Sequence, residues 1–517
     1  MRIPKISIVF LSTLSAISAW YLYKGEGPQQ PVEANAAVSF PQIHSFSTTS
    51  NIGQPPGPTA EVGADQFFTG AIVGEGCLTK DEDGHVRKVL ETVTPDQATE
   101  KLRKNEQSFL VRRGQGVVRY DVVQLASNHP IEDDHAEKIV QVPNTVATTD
   151  GEPSSDWMFW GVFDGHSGWT TSAKLRQELI SFTVRELNTA YKAALSNTTL
   201  PFPEPATVDQ ALKSAFVKLD NEICLDSVDK LTKNPSKRLA AHVLAPALSG
   251  SCALLSFYDA QSKILRTACT GDSRAVLGRR NQHTGTWYAT PLSEDQTGSN
   301  PNEEARMRAE HPGEPHVIRN GRVLGKLEPT RAFGDAFYKW SRETQHRIKK
   351  HFFGRRLNPY LQTPPYITAE PVVTSTKIAP SNGDFVVMAT DGLWKRLTNE
   401  EVVGLVVQWI DQWERGETVC QQQGSCQNEN PDRFVVEDKN AATHLVRNAL
   451  GGNDLDMVCA LLTLPDPYSR RYRDDMTVQV IFFGEGENNG SVVVNAEATA
   501  GLKAKLRDHW VLVESTF

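Results

Sequence analysis

The sequence predicts a fold of mixed α+β class, in which buried strands pack with amphipathic helices. Apolar runs of strand length, such as residues 158–163 and 384–390, end abruptly in turns that carry acids. Longer stretches at residues 172–195 and 207–225 place Leu and Phe at helical spacing, and each can cover one face of a sheet. The acids at the strand ends are therefore the first candidates for a functional site.

The remaining elements follow from the same patterns. Strands are predicted at residues 116–125, 248–255, 264–269 and 477–483, and helices at residues 94–110 and 400–413. Asp474 precedes its strand, but in an antiparallel sheet the start of that strand would lie beside the ends of its neighbours. Two stretches, near residues 336–370 and 414–440, are predicted to be insertions.

The first of these insertions is strongly basic. Such a run is most often a solvated helical face, and the alternative is a docking surface for an acidic partner. Its basic residues include Arg342, Arg347, Lys349, Lys350, Arg355 and Arg356.

The composition narrows the class of function. With 517 residues the chain can bury a large core, and its net charge of −8 argues against a general nucleic-acid binder, which needs clustered Lys and Arg. The seven cysteines contain no C-x-x-C pair, which argues against zinc spacing and a dense disulfide framework. Cys252, Cys269 and Cys459 lie in apolar runs and are predicted to be core residues.

Residues 1–24 are predicted to be a targeting or membrane-anchor segment. Its apolar part, residues 6–23, is close to the roughly 20 residues that cross a bilayer, but it is polar for an anchor. A secretory signal, a single membrane anchor and part of a mitochondrial targeting region therefore remain as alternatives. Residues 25–60 are rich in Pro, Gly, Gln, Ser and Thr, which predicts a flexible linker.

The segment from Trp157 to Gly168 carries the strongest functional signal. Its strand ends in Asp164, Gly165 and His166, which puts a carboxylate and an imidazole where the chain leaves the core. An isolated acid of this kind is usually a solvated turn residue, but here acids recur at strand after strand. The others are Glu132, Asp133, Asp272, Asp391, Asp474 and Asp475.

The chemistry of such a cluster points to divalent cations. Many carboxylates at one end of a sheet would repel one another, and burial would raise their pKa values. Cations relieve that repulsion, and oxygen ligands favour Mg²⁺ or Mn²⁺ over zinc. Two such ions at ~3.5–4 Å form a site for hydrolysis at phosphorus, and His166 could protonate the leaving oxygen. For Asp272, an ion pair with Arg274 is the structural alternative.

Four motifs occur in a fixed order along the chain. They are Asp164-Gly165-His166-Ser167-Gly168, Thr270-Gly271-Asp272-Ser273-Arg274, Ala389-Thr390-Asp391-Gly392 and Arg473-Asp474-Asp475-Met476-Thr477. From about Arg119 to Phe483 the chain thereby resembles the metal-dependent protein phosphatases of the 2C type, the PPM family. The resemblance implies an α+β fold, a four-layer α-β-β-α sandwich of two antiparallel sheets flanked by helices. It also implies a catalytic domain over residues 61–484 and a C-terminal extension over residues 485–517.

The resemblance also implies roles for the site residues. A binuclear Mg²⁺ or Mn²⁺ centre would be held by Asp133, Asp164 as the bridge, Gly165 through its carbonyl, Asp391 and Asp474. Glu132 would act through metal-bound water, Asp272 matches the position of a third, weaker metal, and His166 matches the general acid. The implied reaction is hydrolysis of phosphoserine or phosphothreonine by a metal-bridging water.

One position departs from the family pattern. Many members carry a phosphate-binding arginine four residues before the glutamate of the first acidic pair, and here that residue is Asn128. A neutral side chain cannot supply the bidentate contact of an arginine. Either another cation serves, with Arg119 as a candidate, or the metals hold more of the phosphate.

Asn128 also points to a branch of the family. Asparagine before Pro130-Ile131-Glu132-Asp133, and the R-A-F-G-D segment that ends at Asp335, resemble the mitochondrial pyruvate dehydrogenase phosphatases, in a fungal-type form. That branch implies a mitochondrial location, in the matrix or the intermembrane space or anchored to the inner membrane, with the pyruvate dehydrogenase complex as phosphoprotein substrate. A secretory-pathway membrane is the alternative location.

Two other functions fit parts of the sequence. A membrane-tethered scaffold that binds phosphoproteins with weak or no catalysis would use residues 6–23, the basic insertion and Asn128. A metal nuclease would use the carboxylates, but the sequence shows no basic groove for nucleic acid.

Overall fold

The computed structural model describes residues 59–500, except 63–66, 71–77, 81–85, 128, 143–154, 196–201, 414–432 and 467. In chain order the strands are β1 Thr59–Val62, β2 Phe67–Gly70, β3 Leu78–Lys80, β4 Val86–Glu91, β5 Gln107–Arg113, β6 Val117–Leu125, β7 Asp134–Val142, β8 Ser155–Phe163, β9 Gly165–His166, β10 Gly250–Ser251, β11 Ala253–Asp259, β12 Ile264–Thr270, β13 Arg274–Arg280, β14 Trp287–Pro291, β15 Ile318–Arg319, β16 Arg322–Val323, β17 Phe333–Gly334, β18 Val372–Lys377, β19 Phe385–Ala389, β20 Met476–Phe483 and β21 Asn488–Val494.

The α-helices lie between groups of these strands along the chain. They are α1 Pro95–Arg103, α2 Thr170–Leu195, α3 Pro205–Asn221, α4 Ser227–Lys233, α5 Lys237–Val243, α6 Ala245–Leu248, α7 Pro301–Glu310, α8 Arg342–His351, α9 Asp391–Trp394, α10 Asn399–Trp413, α11 Ala441–Leu450 and α12 Leu455–Thr463.

Several predictions fall outside the described residues. They concern the targeting or anchor segment, nearly all of the linker, most of the insertion at 414–440, and Asn128. Among the described residues, none of the helices combines the length and the hydropathy that a membrane span requires.

Two antiparallel sheets form the centre of the molecule. One has seven strands in the order β14-β13-β19-β20-β6-β5-β21, and the other has five in the order β18-β12-β11-β8-β7. A four-stranded sheet of β1–β4 precedes them in the chain. Strands β9, β10 and β17 form a three-stranded sheet, and β15 and β16 form a two-stranded sheet.

The alternation of side chains along β8 shows how the layers pack. Met158, Trp160 and Val162 belong to the core between the two sheets, whereas Trp157 and its i+2 neighbour Phe159 belong to the core beneath α2 and α3. Because both faces of the strand are covered, it has no polar side chain from Trp157 to Phe163.

The seven-stranded sheet has the same arrangement on the other side. In β19, Val386 and Met388 face the five-stranded sheet, while Phe385 and Val387 pack under α10, α11 and α12. Three apolar cores therefore separate four layers, helix, sheet, sheet and helix. This confirms the predicted α+β sandwich of two antiparallel sheets flanked by helices.

One predicted helix was too long. Residues 94–110 were expected to be helical, but the helix ends at Arg103, and residues 107–113 form β5. β5 pairs with β6 on one side and β21 on the other, so the sheet decides its conformation rather than local periodicity. β21 comes from residues assigned to the C-terminal extension, and it adds an edge strand to the seven-stranded sheet.

Candidate metal centre

The end of β8 forms a tightly closed corner. The Cys252 backbone N–H donates to the Asp164 carbonyl at 2.8 Å, so the strand stays paired until the acid. A Cβ on Gly165 would lie 1.9 Å from the Glu132 carbonyl oxygen. Residue 165 must therefore be glycine, because only a bare backbone lets the segment before β7 pack against this corner.

Three aspartates meet at this end of the sandwich, of which Asp272 is buried and Asp164 and Asp391 are partly exposed. Asp164 follows β8, Asp272 follows β12, and Asp391 begins α9 directly after β19. One carboxylate oxygen from each lies within 4.8 Å of the others. Antiparallel and packed strands thus bring together acids that are more than a hundred residues apart in sequence.

Burial and mutual repulsion raise the pKa values of these acids. Burial raises the pKa of Asp164 well above its usual range, and Asp391, Asp133 and Asp272 add to the effect. Burial, with a contribution from Asp391, raises the pKa of Asp272 to about 6. The possible ligand atoms are all carboxylate oxygens, and their negative charge exceeds the positive charge of the neighbouring side chains. The site therefore fits a hard divalent ion such as Mg²⁺ or Mn²⁺.

Asp133 lies beside this group. The first residue of β7, Asp134, pairs with Phe163 at the end of β8, which places Asp133 next to Asp164. Its carboxylate accepts a hydrogen bond from Thr477 Oγ1 at 2.8 Å. Burial raises its pKa strongly, and Asp475 and Asp391 raise it further.

Asp474 and Glu132 lie further out. The Asp474 carboxylate is in contact with the Arg470 guanidinium and accepts from the Asp475 N–H at 2.7 Å. Glu132 Oε1 accepts from the Gly168 N–H at 2.6 Å. Burial raises the pKa of Glu132, although the Gly168 hydrogen bond opposes the shift. The structure therefore places both acids at the border of the cluster, outside the group of three.

Asp475 has a role that the sequence did not indicate. Its Oδ1 accepts from the Ser127 N–H at 2.5 Å and from Ser127 Oγ at 2.8 Å, and its Oδ2 accepts from the Glu132 N–H at 2.9 Å. The buried carboxylate thereby holds both ends of the segment 127–132 in place. The doublet Asp474-Asp475 was visible in the sequence, but which acid faces the site was not.

His166 is held by a second residue without a predicted role, Asp335. His166 Nε2 lies 2.5 Å from Asp335 Oδ2. Asp335 has φ 48°, a left-handed conformation that Asp tolerates, and its N–H donates to the Ser249 carbonyl at 2.8 Å. Burial lowers the pKa of His166, but the Asp335 carboxylate, with smaller contributions from Asp272 and Glu132, more than offsets this effect, so the pKa is raised. The R-A-F-G-D segment was recognised in the sequence, but its partner was not.

Gly250 makes the contact between His166 and Asp335 possible. A Cβ on Gly250 would lie 2.2 Å from His166 Nε2 and 2.3 Å from Asp335 Oδ2. Strand β10 lies between β9 and β17 and brings the two segments together. The three-stranded sheet β9-β10-β17 therefore serves to pair the histidine with its carboxylate.

The structure excludes two roles that the sequence left open as alternatives for basic residues. Arg119 forms an ion pair with Asp121 and lies 4.5 Å from the centre of the Trp409 ring, under the helices, so it cannot reach the cluster. Arg274 pairs with Asp295 rather than with Asp272. Lys395 is a cation that contacts the group of three, because its Nζ is paired with Asp391.

Comparisons with known proteins agree with this geometry. The family model described as protein phosphatase 2C matches residues 127–427. The mitochondrial [pyruvate dehydrogenase [acetyl-transferring]]-phosphatase 1 of Saccharomyces cerevisiae is 43% identical over 450 residues, which cover 78% of this chain and 77% of that protein. A protein phosphatase 2C homologue of Schizosaccharomyces pombe is 45% identical over 401 residues, 75% of this chain and 85% of that protein. The human mitochondrial [pyruvate dehydrogenase [acetyl-transferring]]-phosphatase 1 is 31% identical over 467 residues, 76% of this chain and 83% of that protein.

Proposed function

Because the chain belongs to the protein phosphatase 2C family, it is a metal-dependent protein serine/threonine phosphatase, and we propose that it acts on the phosphorylated pyruvate dehydrogenase complex in mitochondria. The observation that carries the activity is the group of Asp164, Asp272 and Asp391, whose carboxylate oxygens lie within 4.8 Å of one another. The substrate and the location rest on the names of the relatives in yeast and human.

The metal ligands are the acids at the ends of the strands. Two Mg²⁺ or Mn²⁺ ions would be held by Asp133, Asp164, Asp391, Asp474 and the Gly165 carbonyl, with Glu132 at the border. Asp272 would serve a third, weaker ion. When bound, the ions lower the pKa of a water molecule and neutralise charge on the phosphoryl oxygens. The raised pKa values of Asp133, Asp164 and Asp272 support this proposal, because bound cations would offset the burial and the mutual repulsion that raise them.

His166 supplies the proton for the leaving serine or threonine oxygen. With Nε2 held by Asp335, the imidazole has Nδ1 as the nitrogen that can transfer a proton. Asp335 positions the ring and favours its protonated form, as the raised pKa of His166 indicates. A poor leaving group such as an alkoxide needs this proton.

Arg470 takes the place of the phosphate-binding arginine that Asn128 does not provide. Its guanidinium contacts Asp474 and donates to Ser127 Oγ at 3.4 Å, so it lies beside the segment that contains residue 128. An Arg at this border can bind a phosphoryl group in the bidentate manner that Asn cannot. Lys395 is a second cation, on the side of Asp391 and Asp272.

Residues 1–24 act as the mitochondrial targeting segment, with a membrane-anchored stage as the alternative. The relatives from yeast and human are named mitochondrial. Import of residues 1–60 fused to a fluorescent protein into isolated mitochondria tests the location. Protease treatment of intact and of swollen mitochondria would then separate the matrix from the intermembrane space.

The activity is tested on the purified full-length chain. It should dephosphorylate a phosphothreonine peptide with Mn²⁺ and lose that activity in EDTA, and Asp391→Asn should be inactive. The matched control is Asp229→Asn on the exposed side of α4, which should be fully active. Turnover that persists in EDTA would refute the mechanism.

The substrate needs its own experiment. Phosphorylated pyruvate dehydrogenase should be a better substrate, by kcat/KM, than an unrelated phosphoprotein such as casein. Equal kcat/KM for the two proteins would leave the phosphatase activity intact but refute the proposed substrate. A calorimetric metal titration separates the enzyme from a phosphoprotein-binding scaffold, because a scaffold need not bind two ions.

A further inference from the structure

Helix α8 and the turn after it form a strongly basic surface on an acidic protein. We define the basic surface as the exposed cations Arg342, Arg347, Lys349, Lys350, Arg355 and Arg356. Glu343 is the only acid between residues 342 and 356, while the whole chain has a net charge of −8. Within the described part of the chain, no ion pair involves Arg347, Lys349, Lys350 or Arg356. These positive charges are therefore not neutralised by their neighbours.

Buried side chains on one face of α8 fix the helix to the rest of the domain. Gln345 is 3% exposed, and its Nε2 donates to the Phe337 and Trp340 carbonyls, both at 2.9 Å. Ile348, three residues further on and on the same face, is 1% exposed and packs in the core beneath α2 and α3. Because one face of α8 is buried in this way, the opposite face presents its cations to solvent in a fixed arrangement.

The basic surface is connected to the active site by a short and well-held segment. Asp335, which contacts His166, is followed by a 3-10 turn at residues 336–338. Lys339 then pairs with buried Asp220, and Trp340 Nε1 donates to the Cys224 carbonyl at 2.7 Å. Ser341 caps the first turn of α8. A protein that binds α8 is therefore held close to the reacting centre.

We propose that the basic surface binds an acidic segment of the substrate protein, separate from the phosphorylated residue. This rests on the proposed function, since it concerns the recognition of a phosphoprotein by the same enzyme. Unpaired cations in a fixed array attract an acidic partner, raise its association rate and lose this effect at high salt. Arg347, Arg355 and Arg356 add planar guanidinium groups, and Phe353, which is 43% exposed, adds an apolar contact of the kind enriched at interfaces.

Two synthetic phosphopeptides test the proposal. They share one phosphothreonine segment and one Gly/Ser linker, but one ends in six glutamates and the other in six glutamines. At low salt, wild type should bind the glutamate peptide with a KM roughly tenfold lower, at equal kcat, because several weak ion pairs add up. The difference should shrink as NaCl is raised to about 0.5 M, where screening is strong. In R347E/K349E/K350E the two peptides should have equal KM.

A matched variant controls for charge. K263E/R280E/K377E makes the same change at exposed positions, at the end of the sheets opposite to the aspartates, and should behave as wild type. Hydrolysis of p-nitrophenyl phosphate reports the fold and the chemistry, and it should be unchanged in both triple variants. R347Q/K349Q/K350Q should give an intermediate preference if charge is the cause.

Several outcomes would overturn the proposal. One is equal KM for the two peptides in wild type, and another is a preference that survives R347E/K349E/K350E or disappears in the control variant. A third is equal KM together with sedimentation of wild type, but not of the variant, on phosphatidylglycerol vesicles, since the surface would then bind membranes. If the wild-type protein did not hydrolyse p-nitrophenyl phosphate at all, the proposed function itself would be refuted.

Discussion

Two groups of buried acids in this protein have opposite electrostatic environments. Glu303, near the start of α7, accepts hydrogen bonds from Arg306 at 2.7 Å, Arg331 at 2.8 Å and Thr330 at 2.6 Å. Burial alone would raise its pKa, but these partners lower it to about 2. Asp272, at the end of β12, lies among other carboxylates, and its pKa is raised to about 6. Both acids are buried, so the difference comes from their partners and not from solvent.

The difference distinguishes a structural acid from a functional one. Glu303 ties α7 to residues 330 and 331, and two arginines neutralise it completely. The group of Asp164, Asp272 and Asp391 has one half-exposed lysine, Lys395, as its cation in the described structure. Such a group is costly to fold without a ligand and binds cations strongly for the same reason. The comparison predicts opposite effects when one acid from each group is neutralised.

Asp164→Asn should have the largest effect. It removes a metal ligand, so activity on a phosphothreonine peptide should fall by about 10³-fold or more, since positioned charge supplies several kcal/mol to such reactions. The metal-free variant should nevertheless be more stable than metal-free wild type, by about 1 kcal/mol, because repulsion is relieved. Urea unfolding in EDTA measures this. A less stable variant would show that the aspartates do not strain the metal-free fold.

Glu303→Gln should change stability in the opposite direction. It leaves the partly buried Arg331 without its carboxylate partner, whereas Arg306 keeps its ion pair with Glu310, so the change should cost about 2 kcal/mol. Kinetic constants at a temperature where the variant is folded should be unchanged. Glu304→Gln on the same helix is the control, because its pair with Arg308 is more exposed and should be worth less than about 0.5 kcal/mol. Equal losses in the two variants would contradict the comparison.

His166→Ala tests the histidine that borders the acids. Activity on a phosphothreonine peptide should fall about 10²-fold, and activity on p-nitrophenyl phosphate much less, because an aryl oxygen leaves without a proton. Asp335→Asn should cause a smaller loss and move the alkaline limb of the pH–rate profile to lower pH, since it removes the group that raises the pKa of His166. Equal losses on both substrates for His166→Ala would refute the general-acid role.

His444 shows a third way of burying a titratable group, which is to keep it neutral. Its Nε2 donates to the Leu405 carbonyl at 3.0 Å, and Nδ1 accepts from Asn448 at 3.2 Å. Burial lowers its pKa to about 4. Because the folded state resists protonation, this site should cost stability as the pH falls from about 6.5 towards 4, by about 2 kcal/mol at pH 5.

The measurement compares urea unfolding of wild type and His444→Gln at pH 7 and pH 5. Wild type should lose stability relative to the variant between the two values. His283→Gln, in the exposed turn between β13 and β14, is the control and should follow wild type. A constant difference between wild type and His444→Gln would refute the assignment.

Of the five substitutions, Arg470→Ala should have the smallest effect. The loss of a charge-assisted contact should raise the Ki of inorganic phosphate roughly tenfold, with a smaller change in kcat. The neighbouring Arg471→Ala serves as the control, and Lys395→Ala measures the share of the other cation. An unchanged Ki in Arg470→Ala would assign the phosphate to the metals or to Lys395.

Local patterns predicted most of the elements correctly. The strand 116–125 and the helix 400–413 are within two residues of the observed β6 and α10, because apolar periodicity and turns depend on near neighbours in the chain. Residues 107–110 were predicted to continue a helix, but they belong to the strand at residues 107–113. Their strand conformation depends on pairing with β6 and β21, and β21 comes from the other end of the chain.

By itself, the sequence determined the acids at the strand ends, the glycine at position 165 and the imidazole two residues after Asp164. Only the tertiary structure decided which of these groups meet. In the fold, Asp164, Asp272 and Asp391 lie together, whereas Asp474 contacts Arg470. Asp475 accepts hydrogen bonds from Ser127 and Glu132, and His166 is paired with Asp335. The physical reason is that residue type is a local property, whereas the distance between two charges depends on strand register and on how the sheets pack.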